Sequence, residues 1–158
     1  MLLAIYLNDH LAGATVGRDL AKRAAGRNRN SDYGPFLERL AREVAEDRES
    51  LVAIMRALDV KIDPLKAIAS WGVEKVGRLK LNGRLFGYSP LSRLVELEGI
   101  TLGVYGKRAL WRSLQQVDPE RPAIAGRDLS ELLARAERQL EELELHRQRA
   151  AVEALVHN

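Results

Sequence analysis

The 158-residue chain contains no cysteine. That excludes disulfide frameworks, thiolate zinc sites, thiol nucleophiles and iron–sulfur clusters. Only three histidines are present, and one of them, His157, stands in the terminal tail, so the stock of general bases is small. Aromatic residues make up 5% of the chain. The four tyrosines are scattered and form no stacking array of the kind that holds single-stranded nucleic acid. No run longer than eight residues lacks a charge, which leaves no membrane span of about 20 apolar residues. The apolar start, Met1 to Leu7, has no basic flank and is interrupted by Asn8, Asp9 and His10, unlike a secretory signal. There is no glycine-rich phosphate loop, no nucleophile elbow and no HExxH. These absences lead us to expect a cytoplasmic protein outside the membrane, with nucleic acid not among its partners.

What the chain does have is helix-forming side chains. Leu, Ala, Arg, Glu and Lys supply 85 of the 158 residues, a composition of long helices. The length suits one domain over 1–158 with one sizeable core. The net charge is +3, and it alternates along the sequence: +2 over 1–34, −2 over 35–60, +4 over 61–89, +2 over 90–127 and −3 over 128–158. Alternating signs suit helices that attract one another across a bundle.

The prolines fall between apolar-periodic stretches. Asp63-Pro64 and Ser89-Pro90 each pair an N-cap residue with proline at the first helical position, and Asp128 with Glu131 reads as an acidic capping box. Gly26 and Asn82-Gly83 read as helix stops. The spacing predicts helices over about 2–25, 34–58, 64–80, 90–115 and 128–156 and no strand. Each long segment carries an apolar seam. The first runs through Leu3, Leu7, His10, Ala14, Gly17 and Ala21. The second runs through Leu37, Leu40, Val44, Asp47, Leu51, Ile54 and Leu58. The third runs through Leu91, Leu94, Glu98, Leu102, Tyr105 and Ala109. The fourth runs through Leu133, Ala136, Leu140, Leu143, His146 or Arg147, Ala150 and Ala154. Trp71 and Trp111 are expected to anchor the core or a groove.

Four such stripes bury one another in an all-α, up-down four-helix bundle. The connection of about eight residues between the first two long helices makes them an antiparallel hairpin, and the last two form a second hairpin. The long connection between the hairpins carries its own helix and can return the chain along the bundle. This order resembles the ferritin-like four-helix superfamily. The run Leu97-Glu98-Gly99-Ile100-Thr101-Leu102-Gly103-Val104-Tyr105-Gly106-Lys107 looks like a group of uncharacterised ferritin-like bacterial proteins, a resemblance that implies a fold and no activity.

The ferritin-like di-metal site needs a carboxylate from each helix, two of them followed by His three residues later. This chain departs from that pattern: the second helix has Glu43-x-x-Glu46, and Leu143 occupies the position three before His146. One polar residue interrupts each seam: His10, Asp47, Glu98 and His146. At 1.5 Å per residue, His10 and Asp47 lie about 12 and 16 Å from one end, and Glu98 and His146 about 24 and 27 Å. Two His–carboxylate pairs at separate levels, self-satisfied and buried, are the expectation. The alternative is an iron or manganese site built on His10, Glu98 and His146, with Glu43 or Glu142 assisting. No cofactor is expected otherwise.

Gly13 and Gly17, and Gly99, Gly103 and Gly106, sit on helix faces where glycine costs close to 1 kcal/mol against alanine. Close packing of the first and third helices is the expected reason, and room for a ligand is the alternative. The basic cluster Arg18, Lys22, Arg23, Arg27 and Arg29 ends the first helix, where positive charge stabilises. The acidic stripe Glu137, Glu141 and Glu144 is expected to face arginines across solvent. The functional expectation is a non-enzymatic bundle acting through helix-face packing, with itself as partner in a homo-oligomer through its leucine-rich and glycine-rich faces. The alternative is a metal-dependent oxidase or metal-binding protein with a degenerate carboxylate–His site, and the sequence leaves open whether any reaction is catalysed.

Overall fold

The computed structural model describes residues 2–63, 87–117 and 128–156. These form four α-helices and no strand: α1 (Leu2–Arg27), α2 (Gly34–Ala57), α3 (Pro90–Val117) and α4 (Leu129–Leu155). The expected helix at 64–80, Trp71, the Asn82-Gly83 stop and His157 lie outside the described residues.

The helix ends follow from local chemistry. The Asp128 carboxylate accepts the Glu131 N–H at 2.8 Å, and the Ser89 hydroxyl accepts the Ser92 N–H at 3.2 Å. Both satisfy amide donors that a first turn leaves unpaired. The α2 terminus closes with a Schellman pattern in which the Val60 N–H reaches Met55 O and the Asp59 N–H reaches Arg56 O. Asp59 takes the left-handed position at φ 53°, where glycine is usual. Gly26 does not stop α1, which runs on to Arg27. The stop is Asn28, whose buried amide donates to Ala24 O at 2.9 Å. Gly34 has a steric reason that sequence did not suggest: a Cβ there would lie 2.7 Å from Arg29 O.

Adjacent helices are antiparallel. Arg27 near the end of α1 meets Glu96 near the start of α3, while Arg93 on α3 meets Glu153 near the end of α4. On the remaining side Asp32, just before α2, meets Arg149 of α4. The start of α2 therefore lies beside the start of α3, so α2 and α3 run the same way on a diagonal. The end of α2 and the start of α3 therefore lie at opposite ends of the bundle. Asn8 ties the segment just after α2 to α1: its amide donates to Lys61 O at 3.0 Å and its oxygen accepts the Asp63 N–H at 2.8 Å.

The backbones approach closely between α1 and α2, α3 and α4, and α1 and α3, but less between α2 and α4. Long side chains span that wider side: Arg39 pairs with Glu142, and Gln139 donates to Glu43 at 2.8 Å. The α2 and α4 seams are buried largely as expected, with Leu40, Asp47 and Ile54 on one helix and Ala136, Leu143 and Ala150 on the other. The α3 seam is rotated. Leu91, Glu98, Leu102, Tyr105 and Ala109 face solvent, and Leu94, Leu97, Ile100, Val104, Trp111 and Leu114 face the core. Three glycines and the half-buried Lys107 on this helix weaken the apolar signal of its true inner face, which is why periodicity chose the wrong one.

Candidate binding cavity

The rotated face of α3 and the glycines of α1 border a partly open cavity of about 270 Å³ between α1, α2 and α3. Gly13 and Gly17 of α1 and Gly103 and Gly106 of α3 lie on its wall. A Cβ built on Gly17, Gly103 or Gly106 would meet nothing within 4 Å. Close packing is thus not the reason for glycine at these three positions. Their missing side chains leave the space open. Leu51, Ile100, Leu110 and Trp111 make the rest of the wall largely apolar.

One side of the cavity is charged. Asp47, on the inner face of α2, is buried, and its carboxylate takes Lys107 Nζ at 2.5 Å and Arg135 Nη1 at 3.2 Å. Lys107 Nζ also donates to Gln139 Oε1 at 2.5 Å, and Gln139 in turn donates to Glu43. Gln139 is itself buried, so the chain of bonds runs from α3 through α4 to α2 inside the bundle. Burial pushes the Lys107 ammonium below its ordinary value, while the adjacent Asp47 carboxylate opposes that shift. Removing either partner would strand the other charge in a poor solvent. The indole Nε1 of Trp111 is buried without a hydrogen-bond partner among the described residues.

His10, Asp9 and Arg48 reach the cavity from partly exposed positions. The His10 ring packs edge-on against Tyr6 with centroids 4.5 Å apart. Burial lowers its pKa from 6.5, with Asp9 opposing, so the imidazole is neutral at pH 7. Arg48 is committed to Glu49 at 2.6 Å and Thr15 at 3.1 Å.

The four seam residues thus have separate fates. His10 and Asp47 line the same cavity, but Asp47 is held by Lys107 and Arg135 rather than by His10. Glu98 is not a buried core residue, and this corrects the sequence reading. Its side chain is half exposed and lies 3.9 Å from Arg147, because the true inner face of α3 is turned away from it. The buried carboxylate of that helix is Glu96, which accepts from Arg27 at 2.8 Å and from the Tyr88 hydroxyl at 3.0 Å. Burial drives the Tyr88 phenol up to about 12. His146 stacks on Phe36 with centroids 4.0 Å apart, and its buried Nδ1 has no hydrogen-bond partner among the described residues. His10, Glu98 and His146 are therefore not assembled, and among the described residues no group of three or more His, Asp or Glu is disposed to hold a metal ion. The described residues alone do not make up a ferritin-like di-metal centre.

The surface clusters are largely paired. In the basic run, Arg18 meets Asp19, Arg27 meets Glu96 and Arg29 approaches Glu38. In the acidic stripe, Glu137 meets Arg112 and Glu144 meets Arg147, which holds the Glu144 carboxyl down to about 2. Among the described residues, no helix is long and apolar enough to cross a membrane. Comparison with known proteins finds no matching family model, no matching curated protein and no matching solved structure.

Sequence reasoning missed Lys107, Gln139, Arg135 and Glu43 as one network. Gln139 carries no charge to flag it, and Lys107 lay on a face assigned to the wrong side of α3. The one available signal was the glycine spacing, for which ligand space was already the alternative explanation.

Proposed function

We propose that this chain is a non-enzymatic, ferritin-like helical bundle that binds a small molecule in the space between α1, α2 and α3. The observation carrying this reading is the glycine wall: Gly17, Gly103 and Gly106 line a cavity of about 270 Å³, and a Cβ at any of them would meet only open space. Glycine inside a helix is costly, and a preserved void forfeits packing. Both costs fall at the same place. The antiparallel hairpins and the parallel α2–α3 diagonal support the ferritin-like part of the proposal. The test is thermal unfolding with saturating tetralin, an apolar probe. A ligand that binds only the native state raises the melting temperature with its concentration. We expect a rise in the native chain that Gly106→Leu, which fills the cavity, removes. No rise in the native chain refutes the reading.

A second reading, self-association through helix faces, is favoured by a separate observation. Leu102 on α3 and Leu145 and Leu155 on α4 are each more than 60% exposed. Exposed leucines of this kind suit pairing between copies. Light scattering after size exclusion tests it, and a strict monomer at high concentration counts against it.

A further inference from the structure

The α1 wall of the cavity changes character along its length. Tyr6, Asp9, His10, Gly13 and Gly17 all line the space. Their spacing of three and four places them on one face of the helix. From Asp9 to Gly17 this wall runs for about 12 Å. Its first part is polar and partly exposed, through Tyr6, Asp9 and His10, and the two glycines beyond are bare. Val44 and Leu51 of α2 and Ile100 and Leu110 of α3 supply buried apolar walls to the same space. The cavity thus has a polar, solvent-reached end and an apolar interior.

The charges around it do not cancel. Asp9, Asp47, Arg48 and Lys107 are the charged residues of the lining. Lys107 is answered by Asp47 at 2.5 Å, and Arg48 by Glu49 at 2.6 Å from outside the cavity. Arg135, the second cation on Asp47, brings Glu46 with it at 3.1 Å. Asp9 is left over, with no hydrogen bond or ion pair among the described residues. His10 beside it is neutral through burial and supplies no counter-charge. The groups at this end are rich in acceptors: two carboxylate oxygens, the unprotonated nitrogen of a neutral imidazole, and the Tyr6 hydroxyl. The Tyr6 ring adds a face that attracts cations. An ammonium, with three N–H donors and no acceptor, complements that set. An anion would meet the Asp9 carboxylate and find every cation of the lining already paired. Size sets the last bound. A cavity of 150 Å³ holds benzene, so about 270 Å³ suits roughly eleven non-hydrogen atoms.

We infer that the cavity binds an apolar amine of about that size, with its ammonium at Asp9 beside Tyr6 and His10 and its hydrocarbon body directed inward. This rests on the binding reading above and deepens it by giving the ligand a head group. The body lies against Leu51, Ile100 and Leu110, and the glycines give it room. Asp9 selects the charge, and the buried walls select the apolar arm.

Three probes with one skeleton test the inference by isothermal titration of the native chain. 4-Phenylbutylamine is a cation at neutral pH, 4-phenylbutan-1-ol is neutral, and 4-phenylbutanoate is an anion. We expect the amine to bind about fivefold tighter than the alcohol, between the worth of an exposed ion pair and that of a buried charge-assisted bond, and the carboxylate to bind weakest. Asp9→Asn keeps the size of the side chain and removes its charge. It should bring the amine down to the affinity of the alcohol and leave the alcohol unchanged, which also shows that the variant is folded. Gly106→Leu should remove binding of both. An amine no tighter than the alcohol overturns the inference and leaves the cavity reading standing, as does a carboxylate that binds tightest or an amine preference that survives Asp9→Asn. Binding of none of the three overturns both.

Discussion

Removing the Asp47 carboxylate is the sharpest perturbation of the interior. In Asp47→Ala, Lys107 Nζ loses a partner at 2.5 Å and keeps only Gln139, while Arg135 keeps Glu46 at 3.1 Å. At an effective dielectric of about 20, opposite charges at that separation attract by roughly 7 kcal/mol. Part of this offsets the cost of burying the ammonium in the first place. Breaking a buried pair from one side typically costs about 3–5 kcal/mol, and Lys107, with a side chain 14% exposed, belongs near the lower end. For a domain of this length, each kcal/mol moves the melting temperature by about 2–4 °C. A fall of roughly 6–12 °C is therefore expected by calorimetry, with the urea midpoint moving in step. Replacing both partners, in Asp47→Leu with Lys107→Met, should recover most of the loss, since an apolar pair needs no counter-charge. A cost below about 1 kcal/mol for Asp47→Ala would refute the argument, and so would a double variant equal to the sum of its singles.

Three further outcomes follow from the same geometry. Gly103→Ala and Gly17→Ala should each stabilise by up to about 1 kcal/mol, because nothing lies within 4 Å of the added Cβ, whereas Gly34→Ala should destabilise against Arg29 O at 2.7 Å; melting temperatures of the three decide it. Asp128→Ala should cost about 1 kcal/mol by urea unfolding, because it removes the acceptor for the Glu131 N–H at the start of α4. The folded pKa of His146 lies below its ordinary 6.5, through burial first and then the nearby Arg149. Below pH 6.5 the unfolded chain therefore binds more protons than the folded one, so stability is complete above that pH and falls as pH drops toward the folded value. His146→Leu should flatten this part of the urea-midpoint profile between pH 8 and 5, and an unchanged slope would contradict it.

Much of the fold was legible because it is written locally. Asp128 with Glu131, and Ser89 with Pro90, announce helix starts through side-chain oxygens that reach amides three residues on. The limits of the four described helices came out within two residues at each end, and the order of two hairpins followed from connection lengths. What local pattern cannot weigh is a buried polar or absent side chain. On α3 the inner side holds Glu96, the half-buried Lys107 and the partly buried Gly99 and Gly106, and its outer face holds Leu91, Leu102 and Tyr105. A hydrophobic count along that helix points outward, so Glu98 was assigned to the core that Glu96 occupies.

The sequence by itself determined four amphipathic helices, their caps, the order of two hairpins and the absence of thiol chemistry. Those depend on residues within a turn or two of one another. The tertiary structure alone decided which face of α3 turns inward, that Asp47 answers Lys107 rather than a histidine, and that the glycines border open space. Each of these is fixed by side chains arriving from a different helix, whose rotation about its own axis is set only when all four pack together.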